Sequence, residues 1–167
     1  MIVQPLIQPS ELRSFASHFA TGVAVVTTRA AGGAAFGLTM NAVTSLSLNP
    51  PLLLICLNNG SSTLKALNES NCFCLHYLAS HQQSLSSLFS TKVGNKFAEL
   101  EYSIGTLGCP ILADVVAASE CEVVSKYPGG DHTIVVGTVR SIVVNGGEPL
   151  VYHRGQYFDL SELRKSA

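Results

Sequence analysis

The sequence contains no tryptophan, little charge and no long apolar run. Charged residues make up 13% of the 167 positions and hydrophobic residues 47%, with a formal net charge of -1. A soluble chain ordinarily carries about 25% charge. The deficit predicts that another subunit covers part of the apolar surface, and a homodimer is the commonest closed arrangement. Abundant Ala, Ser, Thr and Gly account for some of the deficit. Without a basic stripe or tryptophan, nucleic acid is not an expected partner. The longest apolar run, residues 50–57, falls far short of the ~20 residues that span a bilayer. No membrane helix is therefore expected, and the run has the length of a buried strand. Residues 1–10 lack a basic stretch leading into an apolar core, so no secretory signal is expected. The five cysteines include no Cys-x-x-Cys, and their odd number reads as reduced thiols in the cytoplasm. Cys72 and Cys74 would share one strand face, a poor start for tetrahedral zinc, so no metal site is expected. Also missing are the Gly-rich dinucleotide fingerprint and the phosphate loop, so any nucleotide must bind by another route. No basic cluster marks a site for a 2′-phosphate.

The length predicts one domain. Ser10 can cap a helix over 10–20, with Leu12, Phe15, Ala16 and Phe19 on one face and Gly22 at its stop. Strands are expected over 23–28 and 36–39 around the turn Ala31-Gly32-Gly33-Ala34, and over 52–57 after Asn49-Pro50-Pro51. A short helix is expected from Ser61 or Ser62 through Leu67, a strand over 72–78, a helical turn over 85–89 and a loop over 91–95. Two long strands, 120–127 and 133–144, are joined by Pro128-Gly129-Gly130. A turn at Asn145-Gly146-Gly147 leads to a strand over 150–153. Long adjacent strands with tight turns argue for antiparallel sheet, closed as a barrel.

Five segments could carry chemistry. In Gly37 to Ser45, Thr39, Asn41 and Ser45 share a face if the segment is extended, leaving room for a flat ligand; an outer strand face or loop would look the same. In Cys56 to Thr63, a buried strand ends in a Gly turn and a helix opens on consecutive hydroxyls. Free N–H groups there attract phosphate, although Ser and Thr are also ordinary caps. Lys92 sits in a Gly-containing loop, as a phosphate contact or a solvated charge. His132, in Gly130-Asp131-His132-Thr133, is free to meet a ligand, or is a surface histidine bonded to Asp131. Tyr152-His153-Arg154-Gly155-Gln156-Tyr157 offers stacking and anion contact, or a packed closing strand.

Taken together, these segments resemble the flavin reductase family of the FMN-binding split barrel, the reductase components of two-component flavin-dependent monooxygenases. The resemblance spans residues 12–160. It rests on Phe19-Ala20-Thr21-Gly22-Val23, Gly37-Leu38-Thr39-Met40-Asn41, Ser45-Leu46-Ser47-Leu48-Asn49-Pro50-Pro51-Leu52, Ser61-Ser62-Thr63-Leu64, Gly130-Asp131-His132-Thr133-Ile134 and Tyr152-His153-Arg154-Gly155. It implies a mainly β fold, an antiparallel split β-barrel with a Greek-key core and short peripheral helices, working as a homodimer. It implies reduction of FMN or FAD by NADH or NADPH, with reduced flavin passing to a partner oxygenase. Thr39, Met40, Asn41 and Ala42 would line the isoalloxazine, with Ser45 and Ser47 along the ring and ribityl chain. Cys56, Leu57 and Asn58 would pass beside the flavin. Ser61, Ser62 and Thr63 would hold the phosphate with help from Lys92. His132 would meet the nicotinamide nucleotide as an orienting donor, with Tyr152, Arg154 and Tyr157 nearby. His18, Met40, Val43 and Ser119 depart from the family's common residues. The alternative on the same fold is a non-catalytic flavin-binding or electron-carrier protein.

Overall fold

A computed structural model describes residues 7–92 and 94–160, so Val93 of the predicted loop lies outside the described residues. The elements run α1 (Pro9–Ser17), β1 (Thr21–Gly22), β2 (Ala24–Arg29), β3 (Ala35–Met40), β4 (Val43–Leu48), β5 (Pro51–Asn58), α2 (Ser62–Ser70), β6 (Cys72–Tyr77), α3 (Gln83–Ser90), β7 (Tyr102–Ile104), β8 (Pro110–Leu112), β9 (Ala117–Gly129), β10 (His132–Val144), β11 (Leu150–His153) and β12 (Gln156–Asp159). The architecture is mainly antiparallel β.

Seven strands form the main sheet in the order β3-β2-β6-β9-β10-β5-β4, every neighbouring pair antiparallel. Its edge strands, β3 and β4, are linked through Asn41-Ala42 but not by a ladder among the described residues. Among the described residues no ladder closes this sheet into a barrel: the two edges meet at a covalent corner. The same corner corrects the idea that Thr39, Asn41 and Ser45 share one face. β3 ends at Met40 and β4 begins at Val43, so the two-residue alternation does not run through.

β2 is buried on both faces. Val25 joins a cluster with Leu78, Phe89, Leu112 and Leu150, beneath α3, β8 and β11. Ala24 and Val26 join Ile55, Leu57, Leu64, Leu67, Phe73 and Val135, beneath α2 and between sheet strands. Two-sided burial explains why β2 reads as a β-branched run without polar alternation.

Three local expectations are also corrected. α1 starts at Pro9, not Ser10, because Pro fits the first helical position and the Glu11 carboxylate accepts the Gln8 N–H at 2.8 Å. It ends at Ser17, well before Gly22, which instead pairs with Val151 in β1. The β9–β10 turn is Gly130-Asp131, because Pro128 and Gly129 pair with Thr133 and His132. Gly130 takes φ +68°, a conformation suited to glycine at a tight hairpin. The predicted apolar face of α1 exists but is not buried: Leu12, Phe15 and Phe19 are 60–78% exposed.

Candidate functional site

α2 opens at the end of β5, where Asn58 and Gly60 make the chain turn. The Asn58 side-chain oxygen accepts the Gly60 N–H at 2.9 Å, and the Asn58 carbonyl accepts the Ser61 N–H at 3.0 Å. Ser61 is the N-cap: its Oγ accepts the N–H groups of Thr63 (3.1 Å) and Leu64 (3.4 Å). The cap is therefore used within the helix, while the hydroxyl of Ser62 is exposed beside it.

Across a cleft of about 620 Å³ from this helix start lie Lys92 and Lys96. Lys96 was not singled out in the sequence, although it follows Lys92 by one helical turn's spacing. Its Nζ donates to the carbonyls of Phe89 (2.8 Å) and Gly37 (3.2 Å), and burial lowers its pKa from the ordinary lysine value. Gly37 leaves room for the Phe89 ring: a Cβ there would lie 2.7 Å from that ring and 3.0 Å from the Val26 carbonyl. A helix start, the Ser62 and Thr63 side chains and two lysines bordering one cleft suit a phosphate ester.

Thr39 and Ser90 also border a second cleft of about 270 Å³, lined by Met40, Asn41, Tyr152 and Tyr157. Thr39 donates to the Ser86 carbonyl at 2.6 Å, and Ser86 Oγ lies 2.8 Å from the Tyr157 hydroxyl. These bonds tie β3 and β12 to α3. Tyr152 and Tyr157 pack with ring centroids 5.2 Å apart. The β11–β12 turn that carries them is Arg154-Gly155, both at positive φ. Arg154 lines a third cleft, about 550 Å³, which shares Asn41 and Tyr152 with the second.

The tertiary structure thus gathers Thr39, Asn58, Ser61, Ser62, Thr63 and Lys92 in one cleft and Thr39, Met40, Asn41, Tyr152 and Tyr157 in the next. It does not bring every candidate to these walls. Ala42 is exposed at the corner, its carbonyl accepting the Cys56 N–H at 3.0 Å. Ser45 is exposed and Ser47 half-buried on β4. Leu57 is fully buried in the core. Cys56 is half-buried, and burial raises its thiol pKa.

His132 lines none of these clefts; it stands opposite Asn58, a wall residue of the first, in the β5–β10 ladder. Its Nδ1 donates to Asp131 at 2.7 Å, and this bond holds the Asp131 carboxyl below the ordinary aspartate range. With Nδ1–H so engaged, Nε2 donates only when the ring carries both protons. Asn59, not anticipated from the sequence, fixes this turn against α2. Its N–H bonds the Asp131 carbonyl (3.0 Å), its amide nitrogen the Gly130 carbonyl (3.2 Å), and its amide oxygen accepts from Thr133 (2.8 Å). An Asn-Gly pair read only as a turn signal concealed this strut.

Among the described residues no group of His, Cys, Asp and Glu has metal-site geometry, and no helix is long and apolar enough to cross a membrane.

Comparison with known proteins shows the family of the chain. Residues 16–161 match the family described as "Flavin reductase like domain". The chain is 39% identical over 160 residues to a "Flavin reductase (NADH)" of Kitasatospora aureofaciens, covering 91% of this chain and 82% of that one. It is also 39% identical over 153 residues to a Rhizobium meliloti protein named "Probable flavin reductase", covering 92% of this chain but 49% of that protein. The chain therefore spans about half the length of that relative. Among solved structures, the NADH:FAD oxidoreductase of Streptomyces globisporus, in complex with NAD and FAD fragments, superposes with a TM-score of 0.85 at 31% identity, over 93% of this chain and 96% of that one. The chain belongs to the flavin reductase family.

Proposed function

We propose that this protein is an NAD(P)H-dependent flavin reductase, acting as a single domain on FMN or FAD and supplying reduced flavin to a partner monooxygenase. The observation that carries the reading is the continuity of the two clefts: a phosphate cradle at the start of α2 leads, through Thr39 and Ser90, to a tyrosine-walled space. Ser62, Thr63, Lys92 and Lys96 would hold the flavin phosphate. Thr39, Asn41 and the backbone around Met40 would meet the ring. A bound flavin accepts hydride from the nicotinamide, and that chemistry is the cofactors' own. The protein's part is to hold two rings in contact and exclude other arrangements. His132, clamped by Asp131 and opposite Asn58, serves as an orienting hydrogen-bond donor through Nε2 when its ring carries both protons, since hydride transfer removes no substrate proton.

The exposed apolar residues support a homodimer. Leu12, Phe15 and Phe19 on and after α1, Leu48 on β4 and Ile142 and Val144 on β10 are exposed apolar side chains that a second subunit would cover. Five free cysteines accord with a reducing, cytoplasmic setting.

The test is oxidation of NADH and of NADPH, followed by absorbance, with FMN, FAD or riboflavin added in turn. Many flavins turned over per protein establishes the reductase, and the best pair names both cofactors. Flavin binding without NAD(P)H oxidation refutes it and leaves a flavin carrier.

A further inference from the structure

No cysteine walls the three clefts, yet two of the five free thiols meet elsewhere. Cys72 opens β6, and Cys109 ends the β7–β8 turn just before β8. Their sulfurs lie 3.5 Å apart, with the Cys109 thiol donating to Cys72 Sγ. Cys72 Sγ in turn donates to the Leu107 carbonyl at 3.4 Å, inside the same turn. The buried Glu120 carboxylate on β9 fastens that turn to the sheet. It accepts the Thr106 N–H at 2.9 Å, the Thr106 hydroxyl at 2.8 Å and the Leu107 N–H at 2.9 Å. The contact between the sulfurs is thus set by two anchored elements. Access to the two sulfurs differs. Cys109 is fully buried and Cys72 half-buried, so an oxidant in solution reaches Cys72 first. Their acidity differs in the same sense. The Cys109 hydrogen bond is the chief cause of a Cys72 pKa lowered to about 7, against burial and the charges of Glu120 and Glu122, which raise it. The same bond and burial push the Cys109 thiol up. Burial also raises Cys56, Cys74 and Cys121. Thiolate is the form that peroxide oxidises.

We infer that Cys72 and Cys109 form a peroxide-reactive dithiol, in which Cys72 is oxidised first and Cys109 captures the product as a disulfide. The Cys72 thiolate attacks one oxygen of hydrogen peroxide, the O–O bond breaks, and a sulfenic acid and hydroxide result. The Cys109 sulfur then attacks the Cys72 sulfur, the S–O bond breaks, and the Cys109 proton leaves with the hydroxide as water. Counting the proton that Cys72 gave up on ionising, two thiols lose two electrons and two protons, and one peroxide becomes two waters. The sulfurs need only close from 3.5 Å to about 2 Å. The bridge joins the β7–β8 hairpin to the main sheet at β6, and a reducing thiol reopens it by exchange. The nearest source of oxidant rests on the proposed function: reduced flavin that escapes into solution passes two electrons and two protons to dioxygen and gives hydrogen peroxide. The dithiol itself does not rest on that reading.

The experiment exposes the full chain to hydrogen peroxide at neutral pH, unfolds it, blocks the remaining thiols with iodoacetamide and maps the peptides by mass spectrometry. A Cys72–Cys109 crosslink is expected as the chief oxidised species, with Cys56, Cys74 and Cys121 alkylated, and dithiothreitol should remove it. In C109A the sulfenic acid has no partner thiol, so its capture by dimedone at Cys72 should rise several-fold over the parent. In C72S, Cys109 should stay reduced under the same exposure. The crosslink is read in the parent, so the result does not depend on how the variants fold. Peroxide treatment that leaves Cys72 and Cys109 unlinked, or that links other cysteines in preference, overturns the inference. A second arm replaces added peroxide with NADH, FMN and air. The same crosslink, abolished by catalase, assigns the oxidant to flavin turnover. A crosslink with added peroxide but none with NADH and FMN leaves the dithiol standing and refutes flavin turnover as its source.

Discussion

Ser61 and Ser62 adjoin each other, yet their replacement should have separable effects. Ser61 Oγ accepts two N–H groups of α2, so Ser61→Ala removes a helix cap, at a cost of about 1 kcal/mol. For a chain of this size that lowers Tm by roughly 2–4 °C. The Ser62 side chain is exposed and its hydroxyl makes no hydrogen bond among the described residues, so Ser62→Ala should leave Tm unchanged. If Ser62 donates to a flavin phosphate, its loss removes one charge-assisted bond, about 1.5 kcal/mol or roughly tenfold in Kd. Riboflavin has no phosphate, so its affinity should not change. Ser61→Asp gives the sharpest contrast. Aspartate caps as well as serine, so stability is retained, but a carboxylate now stands in the cradle and should weaken FMN more than tenfold while sparing riboflavin. The assays are thermal unfolding and fluorescence titration with FMN and with riboflavin. Equal losses for FMN and riboflavin in Ser62→Ala, or no loss for FMN in Ser61→Asp, would refute the assignment of the phosphate to the start of α2.

Three further outcomes follow from the packing. His76 is fully buried, with Nδ1 3.0 Å from the Val25 carbonyl and Nε2 accepting the Leu112 N–H at 3.2 Å, and burial pushes its pKa down from 6.5 to about 4. The unfolded chain then binds the extra proton more readily, so stability is lost as pH falls from about 6.5 to about 4. The loss should reach about 3 kcal/mol, read from urea midpoints at both ends of that window. Gly37→Ala forces its Cβ to 2.7 Å from the buried Phe89 ring; it should cost about 1–3 kcal/mol in denaturant unfolding and weaken FMN as Lys96 shifts. The Cys109 thiol donates to Cys72 Sγ across 3.5 Å, the chief cause of a Cys72 pKa lowered to about 7. Cys72 should be the first thiol alkylated near neutral pH, and Cys109→Ala should slow that labelling; unchanged labelling would discount the contact.

The sequence was informative wherever the cause is local. Pro and Gly punctuation located the hairpins, β-branched runs gave the strands, and consecutive hydroxyls after Asn-Asn-Gly located the start of α2 and its cap. Repeat spacing also gave the two-sided character of α1. Where local signals were weak, the reading shifted. A hydroxyl-rich stretch from Thr39 to Leu48 looks continuous, and only the edge positions of β3 and β4 in the sheet require the break at Asn41-Ala42. The periodicity of α1 reports amphipathicity, not which surface will cover its apolar face, and that face is exposed.

Residues in these clefts divide along the same line. Ser61, Ser62, Thr63 and Lys92 could be singled out in the sequence as possible phosphate contacts. Lys96 gained significance only when β3 came beside the chain after α3, and Asn59 only when the β9–β10 turn came beside α2. Arg13 and Arg154 are far apart in sequence and line one cleft, where the Arg154 N–H donates to the Ser17 carbonyl. By itself, the sequence determined turns, caps and strand periodicity, because those depend on neighbours within one helical turn or one hairpin. The tertiary structure alone decided which charges share a cleft, because that depends on the pairing order of strands remote in the chain.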